Sequence, residues 1–355
     1  MSRSRAGTIL HAGTCTAPGT EVALRAALDY AEREGVALTA IVPKQLRVVA
    51  IATAPNRRVV RRGRPAAVLG ELAGVPSASI YIGLADRLPL VRRPGVSYVL
   101  VIQNQALVSP TTARGLNRVL FALKRWWLRR SVTRADRIVA ATDDAVDRLV
   151  ALVPPAHRGA ALDKCVVHPI VPTIDVVPRR RPSDGRWRIV LVGAVRRYKH
   201  FARTIELIDE WAHRQGRSVE IVHIGQPGDG STALDDAAAA LGAASFTSRG
   251  ALAHGQTMDV LAAADVFVLM SASETFGIPV AEALMLGVPT ICSDLAVFRD
   301  VAGTAAQFCP LDPPGPFWRA LDQLSTARGH REWSERTRAR GDELRAIGSG
   351  WNVFE

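Results

Sequence analysis

The sequence predicts an α/β protein built from two doubly wound parallel-sheet domains, and three observations carry that prediction. The chain has 355 residues, beyond the roughly 250–300 at which a single core stops growing. Short apolar runs alternate with helical patterns, the rhythm of a parallel sheet covered on both faces. That rhythm then restarts after Val177-Pro178-Arg179-Arg180-Arg181-Pro182-Ser183-Asp184-Gly185, a stretch with linker character.

In order, residues 7–13 read as a strand running into a glycine loop, 21–35 as a helix and 36–42 as the next strand. Further strands are predicted at 48–53, 79–82, 98–102 and 137–141. After the linker come strands at 188–192, 220–224, 266–269 and 289–292, with helices at 201–215 and 280–286. The domain division is then 1–178 and 179–335, with 336–355 a helical tail for which a course back to the first domain is open. Ligands of such sheets bind beyond the carboxyl ends of the strands, so a cleft between the domains is where chemistry is expected.

Composition narrows the class. Hydrophobic residues at 48% and charged residues at 22% exclude global disorder. No apolar run approaches the ~18–20 residues of a membrane span, and residues 1–15 lack the apolar centre of a signal peptide. Cys15, Cys165, Cys292 and Cys309 form no C-x-x-C pair, which argues against a zinc cage or a disulfide framework and fits a reducing cytoplasm. The net charge of +12 is unevenly spread. Residues 1–178 hold 25 Lys and Arg against 12 Asp and Glu, whereas residues 179–355 hold 20 against 21. The first half therefore faces something anionic, for which a membrane surface, a phosphate-bearing substrate and nucleic acid are the choices.

The densest chemical signal is Ser271 to Pro289. A strand ends near Met270, a polar glycine-bearing loop follows, Pro279 suits the first residue of a helix, and Gly287 suits its stop. The amides of Phe276, Gly277 and Ile278 would point out at the helix start as an anion or hydroxyl site. Glu274 lies in the loop and Glu282 eight positions later in the helix, so both could face one polyhydroxylated, phosphate-bearing ligand. Glu-x7-Glu by itself favours a plainer reading, a capped loop with two solvated glutamates. A second segment, Val192-Gly193-Ala194-Val195-Arg196-Arg197-Tyr198-Lys199, runs from a strand through a glycine turn into cations and a helix start, a geometry that cradles a diphosphate.

The whole segment from Glu274 to Ala283 resembles the E-x-F-G-[IL]-P-x-x-E-A signature of retaining GT-B glycosyltransferases of glycosyltransferase family four. Gly287-Val288-Pro289, Ala264-Asp265-Val266 and Gly250 fit the same pattern, and the likeness covers most of residues 188–312. It implies the GT-B fold, two Rossmann-like domains facing across a cleft. It also implies that Glu274 binds donor-sugar hydroxyls, that Glu282 holds the nucleotide ribose, and that the 276–278 amides meet sugar and diphosphate. Gly193 and Lys199 match the family's phosphate turn, while Ala194 stands where many members carry arginine. Arg196 or Arg197 is the replacement, with a slight preference for Arg197. In the first half, Gly13 resembles the glycine loop that admits the donor, and Ala135-Asp136-Arg137-Ile138-Val139-Ala140 resembles a family strand with Thr142 after it. The family's histidine at the end of the 98–102 strand is absent; Gln103-Asn104-Gln105 stands there, and Asn104 offers either hydrogen bonds or a turn.

Two basic stretches remain, Arg57-Arg58-Val59-Val60-Arg61-Arg62-Gly63-Arg64 and 114–134. The second reads as a helix with Leu116, Val119, Leu120, Leu123 and Trp127 among cations, as fit for an anionic lipid interface as for packing on a sheet. No metal motif, P-loop or G-x-S-x-G elbow occurs, so no metal or other cofactor is expected. The resulting expectation is a cytoplasmic, peripherally membrane-bound hexosyltransferase. It would move a sugar from a nucleotide sugar to a saccharide or lipid-linked acceptor of the cell envelope, without a protein nucleophile. Domain closure would complete its site. The competing readings are a sugar-nucleotide epimerase or phosphorylase, and a basic membrane-surface or nucleic-acid-binding protein on an idle scaffold. No helix-turn-helix, RNA-recognition or zinc signature supports nucleic acid.

Overall fold

The computed structural model describes residues 7–12, 18–44, 57–63, 80–84, 86–103, 116–169, 171, 174 and 186–349. The chain divides into two compact units, Met1–Thr173 with Ile347–Glu355, and Ile174–Ala346.

The first unit holds a seven-stranded parallel sheet in the order β3-β2-β1-β4-β5-β6-β7. Its strands are β1 (Thr8–His11), β2 (Leu38–Pro43), β3 (Arg57–Arg62), β4 (Ile80–Gly83), β5 (Ser97–Ile102), β6 (Arg137–Ala140) and β7 (Cys165–Val167). Both sheet faces are covered, so β1 is buried throughout, β5 from Tyr98 onward and β6 from Ile138 onward, which is why they read as apolar runs. On one face Leu10, Ile82 and Val101 pack with Leu24, Ala27 and Leu28 of helix α1 (Pro18–Arg33). On the other, Tyr81, Tyr98 and Leu100 pack with Leu128 and Val132 of helix α2 (Leu116–Arg134). Ser131 and Trp127 lock α2 in place: the Leu88 amide donates to Ser131 Oγ at 2.9 Å, and Trp127 Nε1 donates to the Leu88 carbonyl at 2.8 Å. Helix α3 (Asp143–Leu152) begins at Thr142, whose hydroxyl accepts from the Ala145 amide at 3.2 Å, so Thr142 is a helix cap. A one-turn helix, α4 (Arg158–Leu162), leads into β7.

The second unit repeats the plan with six strands in the order β10-β9-β8-β11-β12-β13. These are β8 (Trp187–Val192), β9 (Val219–Ile224), β10 (Ala244–Ser248), β11 (Val266–Leu269), β12 (Thr290–Cys292) and β13 (Gln307–Phe308), all paired in parallel. Between them run α5 (Phe201–Gln215), α6 (Ser231–Ala239), α7 (His254–Ala262), α8 (Ile278–Met285) and α9 (Ala296–Ala302), and after them α10 (Gly315–Ser325) and α11 (Ala327–Ser349). In both sheets the chain winds outward through three strands and then returns to the other side of the first, where it winds the opposite way. The topological switch points are therefore β1/β4 and β8/β11.

The expected two-sheet α/β class is what the structure has. The basic stretch 57–64, for which no element is predicted from the sequence, holds strand β3 at Arg57–Arg62, paired with β2 from Leu38↔Arg57 to Pro43↔Arg62. Strands β7, β10 and β13 are not among those predicted, and the expected strand at 48–53 lies outside the described residues. Among the described residues no helix is long and apolar enough to cross a membrane.

Candidate active site of the second unit

The site forms at the β8/β11 switch point. Beyond β8 the chain makes the Gly193 turn and the short helical turn Arg197–Lys199, and beyond β11 it makes the Ser271–Gly277 loop. Since β8 and β11 are hydrogen-bonded neighbours, the two loops lie side by side. The Ala272 amide donates to the Tyr198 carbonyl at 2.7 Å and ties them together.

Close backbone packing shapes the first loop. Gly193 has φ +139°, and a Cβ there would meet the Lys199 side chain at 3.2 Å. Gly225, just past β9, admits no Cβ at all, because one would stand 1.9 Å from the Gly193 carbonyl oxygen. His223 braces the same carbonyl: Nε2 lies 2.9 Å from Gly193 O and Nδ1 lies 3.2 Å from Ser248 Oγ. Burial pushes this imidazole below its ordinary range, against an opposing pull from the Gly193 carbonyl. It is therefore neutral, with Nε2–H donating.

Lys199 is buried, 7% exposed, and forms an ion pair with Glu274 across the two loops. Ser271 Oγ donates to the same Glu274 oxygen, Oε1, at 2.9 Å. Both contacts engage Oε1, and neither engages Oε2. Arg196 and Arg197 both turn to Asp229: Arg197 Nε donates to the Asp229 carbonyl at 3.1 Å, and Arg196 lies 3.9 Å from its carboxylate.

Helix α8 starts at Gly277, which has a φ of +80°. A Cβ there would stand 2.6 Å from the Phe298 ring, so the position has room for glycine alone. Pro279 is the second helical residue rather than the first. Among the described residues the amides of Phe276, Gly277 and Ile278 donate to no protein acceptor, as befits a first helical turn. The helix ends in a Schellman motif, Val288 N to Ala283 O and Gly287 N to Leu284 O, both 2.9 Å, with Gly287 at φ +70°. Helix α11 crosses it so closely that a Cβ at Gly341 would stand 2.4 Å from the Leu284 carbonyl oxygen.

Inside α8, Glu282 is 4% exposed. Its carboxyl is pushed up by burial, against a hydrogen bond from His254 Nε2 at 2.7 Å to Oε1. His254 opens helix α7, and no short motif reveals it, because its partner lies 28 positions away. Gly13 and Asn104 lie outside the described residues. Cys292 and Cys309 are buried with thiols pushed up by desolvation, Cys309 to about 12, so neither serves as a nucleophile near neutral pH. Among the described residues no cluster of three or more His, Cys, Asp or Glu could hold a metal ion.

Comparison with known proteins agrees with this geometry. Residues 176–316 match the family model of glycosyl transferases group 1. A 2-deoxystreptamine N-acetyl-D-glucosaminyltransferase of Streptomyces fradiae is 26% identical over 332 residues, covering 89% of this chain and 75% of the relative. Among solved structures, Anabaena HepE in complex with UDP and glucose aligns with a TM-score of 0.72 at 12% identity, covering 97% of each chain. A sucrose-phosphate synthase of Thermosynechococcus elongatus aligns with a TM-score of 0.69 at 15% identity, covering 97% of this chain and 96% of that one. The fold is GT-B, and the stretch that matches the group 1 glycosyl transferase model lies within the second unit.

Proposed function

We propose that the protein is a retaining hexosyltransferase whose second unit binds a nucleoside-diphosphate sugar, with no metal and no protein nucleophile. The observation that carries this reading is the buried Lys199–Glu274 pair beside the unpartnered amides of 276–278 at one switch point. An ammonium at the foot of a glycine turn suits the negative charge that grows on a departing diphosphate, and a preorganised cation needs no reorganisation during transfer. Glu274, held through Oε1 by Lys199 and Ser271, offers Oε2 to donor-sugar hydroxyls. The 276–278 amides take the diphosphate and sugar oxygens, Glu282 takes the ribose, and Arg197 supplies a second cation from the rim.

The acceptor in this reading is a lipid-linked or cell-envelope saccharide, taken by the basic first half. A second acceptor class, a soluble aminocyclitol, is favoured by the name of the Streptomyces fradiae relative. One experiment addresses both. The protein is incubated without metal with UDP-glucose or UDP-N-acetylglucosamine and either a polyprenyl-diphosphate-linked sugar in vesicles or 2-deoxystreptamine. Nucleoside diphosphate release is followed, and proton coupling at the new anomeric centre is read by NMR. Turnover with retained configuration supports the reading, and the productive acceptor decides its class. An inverted product, or no turnover with any common UDP-, GDP- or ADP-sugar, contradicts it.

A further inference from the structure

Helix α2 has two apolar faces on opposite sides. Phe121, Leu128 and Val132 point into the first unit's core, where Leu128 is fully buried and Val132 nearly so. A helix packed on a sheet in this way normally turns a polar face to solvent. Here the outer face carries Val119, Leu123 and Trp126 at i, i+4 and i+7, with Leu120 beside them, at 56, 58, 53 and 46% exposure. These are four of the largest exposed apolar side chains among the described residues, and they share one helix.

Cations flank the stripe, and the helix itself carries no carboxylate to answer them. The helix contains Arg118, Lys124, Arg125, Arg129, Arg130 and Arg134 and no Asp or Glu. Arg118, Lys124, Arg129 and Arg130 form no ion pair among the described residues. Arg130 instead lies over the Trp126 ring at 5.9 Å, and Lys124 over Phe121 at 5.6 Å.

We infer that the outer face of α2 docks on an anionic phospholipid surface. The aliphatic side chains and the Trp126 indole would enter the headgroup–acyl boundary. The flanking guanidinium groups would stay at headgroup level against lipid phosphates, with their stems lying along the apolar stripe. Charge decides the occupant. A second copy of this chain would bring the same unpaired cations against these, whereas a bilayer rich in anionic lipid neutralises them. The inference stands on α2 alone and does not depend on which sugar or acceptor the enzyme uses.

The test is co-sedimentation of the full chain with phosphatidylcholine vesicles, with or without phosphatidylglycerol, at low and high salt. The expected result is binding that requires phosphatidylglycerol and fades with salt. Leu123→Ser with Trp126→Ser should weaken it at least about tenfold, and Arg129→Gln with Arg130→Gln about 30-fold. All four positions are exposed, so melting temperature should hold; if the apolar pair of substitutions melts early, the arginine pair decides. The inference is overturned if the chain ignores phosphatidylglycerol vesicles, if both double variants bind like the parent, or if the parent is a dimer that Leu123→Ser dissociates while vesicles bind nothing.

Discussion

The two units share one strand order but deploy their charges in opposite ways. In the second unit, near-neutral overall, the charged groups that matter are drawn inward and paired: Lys199 with Glu274, Glu282 with His254. In the first, which carries the basic excess, α2 turns unpaired cations and bare apolar side chains outward. Inward charge is expensive to bury and is kept where a ligand's own charges will meet it. Outward charge costs little to keep and suits a surface that is itself charged. One scaffold thus supports a site in one half and a candidate docking face in the other.

That contrast can be broken first at the buried pair. Lys199→Ala leaves Glu274, whose side chain is only 14% exposed, without its ammonium, and a loss of about 3 kcal/mol in denaturant-unfolding stability is expected. The joint variant Lys199→Met with Glu274→Leu should cost less than the two single changes summed, because no lone charge remains. Strict additivity in that cycle would mean the pair is not coupled. Next comes Gly225→Ala, whose methyl has no place beside the Gly193 carbonyl. A loss of about 2 kcal/mol is expected, together with loss of nucleotide binding. A stable Gly225→Ala protein that still binds nucleotide would show that the turn is free to move.

A smaller effect concerns His223. Its folded-state pKa is lowered by burial, so below the ordinary imidazole value the unfolded chain takes up a proton that the folded chain refuses. Its contribution is intact above about pH 6.5 and is lost as pH falls from there through the lowered folded value. His223→Gln should flatten stability against pH in that window. A parent slope unchanged by the substitution would assign the acid sensitivity elsewhere. The smallest effect belongs to the first unit's surface. Breaking the i,i+4 pair Asp144–Arg148, at 2.8 Å on α3, should cost about 0.3–0.5 kcal/mol and vanish in high salt.

How much of this is legible in the sequence follows a physical line. The interior strands of both described sheets correspond to runs picked out by pattern, because a strand covered on both faces is continuously apolar. The strands that pattern misses, β3, β7, β10 and β13, are the edges of those sheets. Edges are short, half exposed or charged: β3 reads Arg-Arg-Val-Val-Arg-Arg and β10 reads Ala-Ser-Phe-Thr-Ser. In the site, the residues spaced within one loop and helix are legible as a motif. His254 and His223 are not, since each acts through a partner from another strand or helix that only the sheet order brings near. The outer face of α2 is ambiguous in sequence, because only burial shows which side of the helix the core takes.

The central claim is that the second unit's switch point is a nucleotide site, and titration calorimetry tests it most directly. UDP, GDP and ADP are titrated without metal into the parent and into Glu282→Ala, with melting curves confirming that both are folded. The account predicts that one nucleoside diphosphate binds the parent and binds Glu282→Ala at least about tenfold more weakly, since a buried carboxylate that accepts ribose hydroxyls is lost. Equal binding to both proteins would move the nucleotide away from α8. No binding to either would leave the fold intact and the proposed activity without its donor.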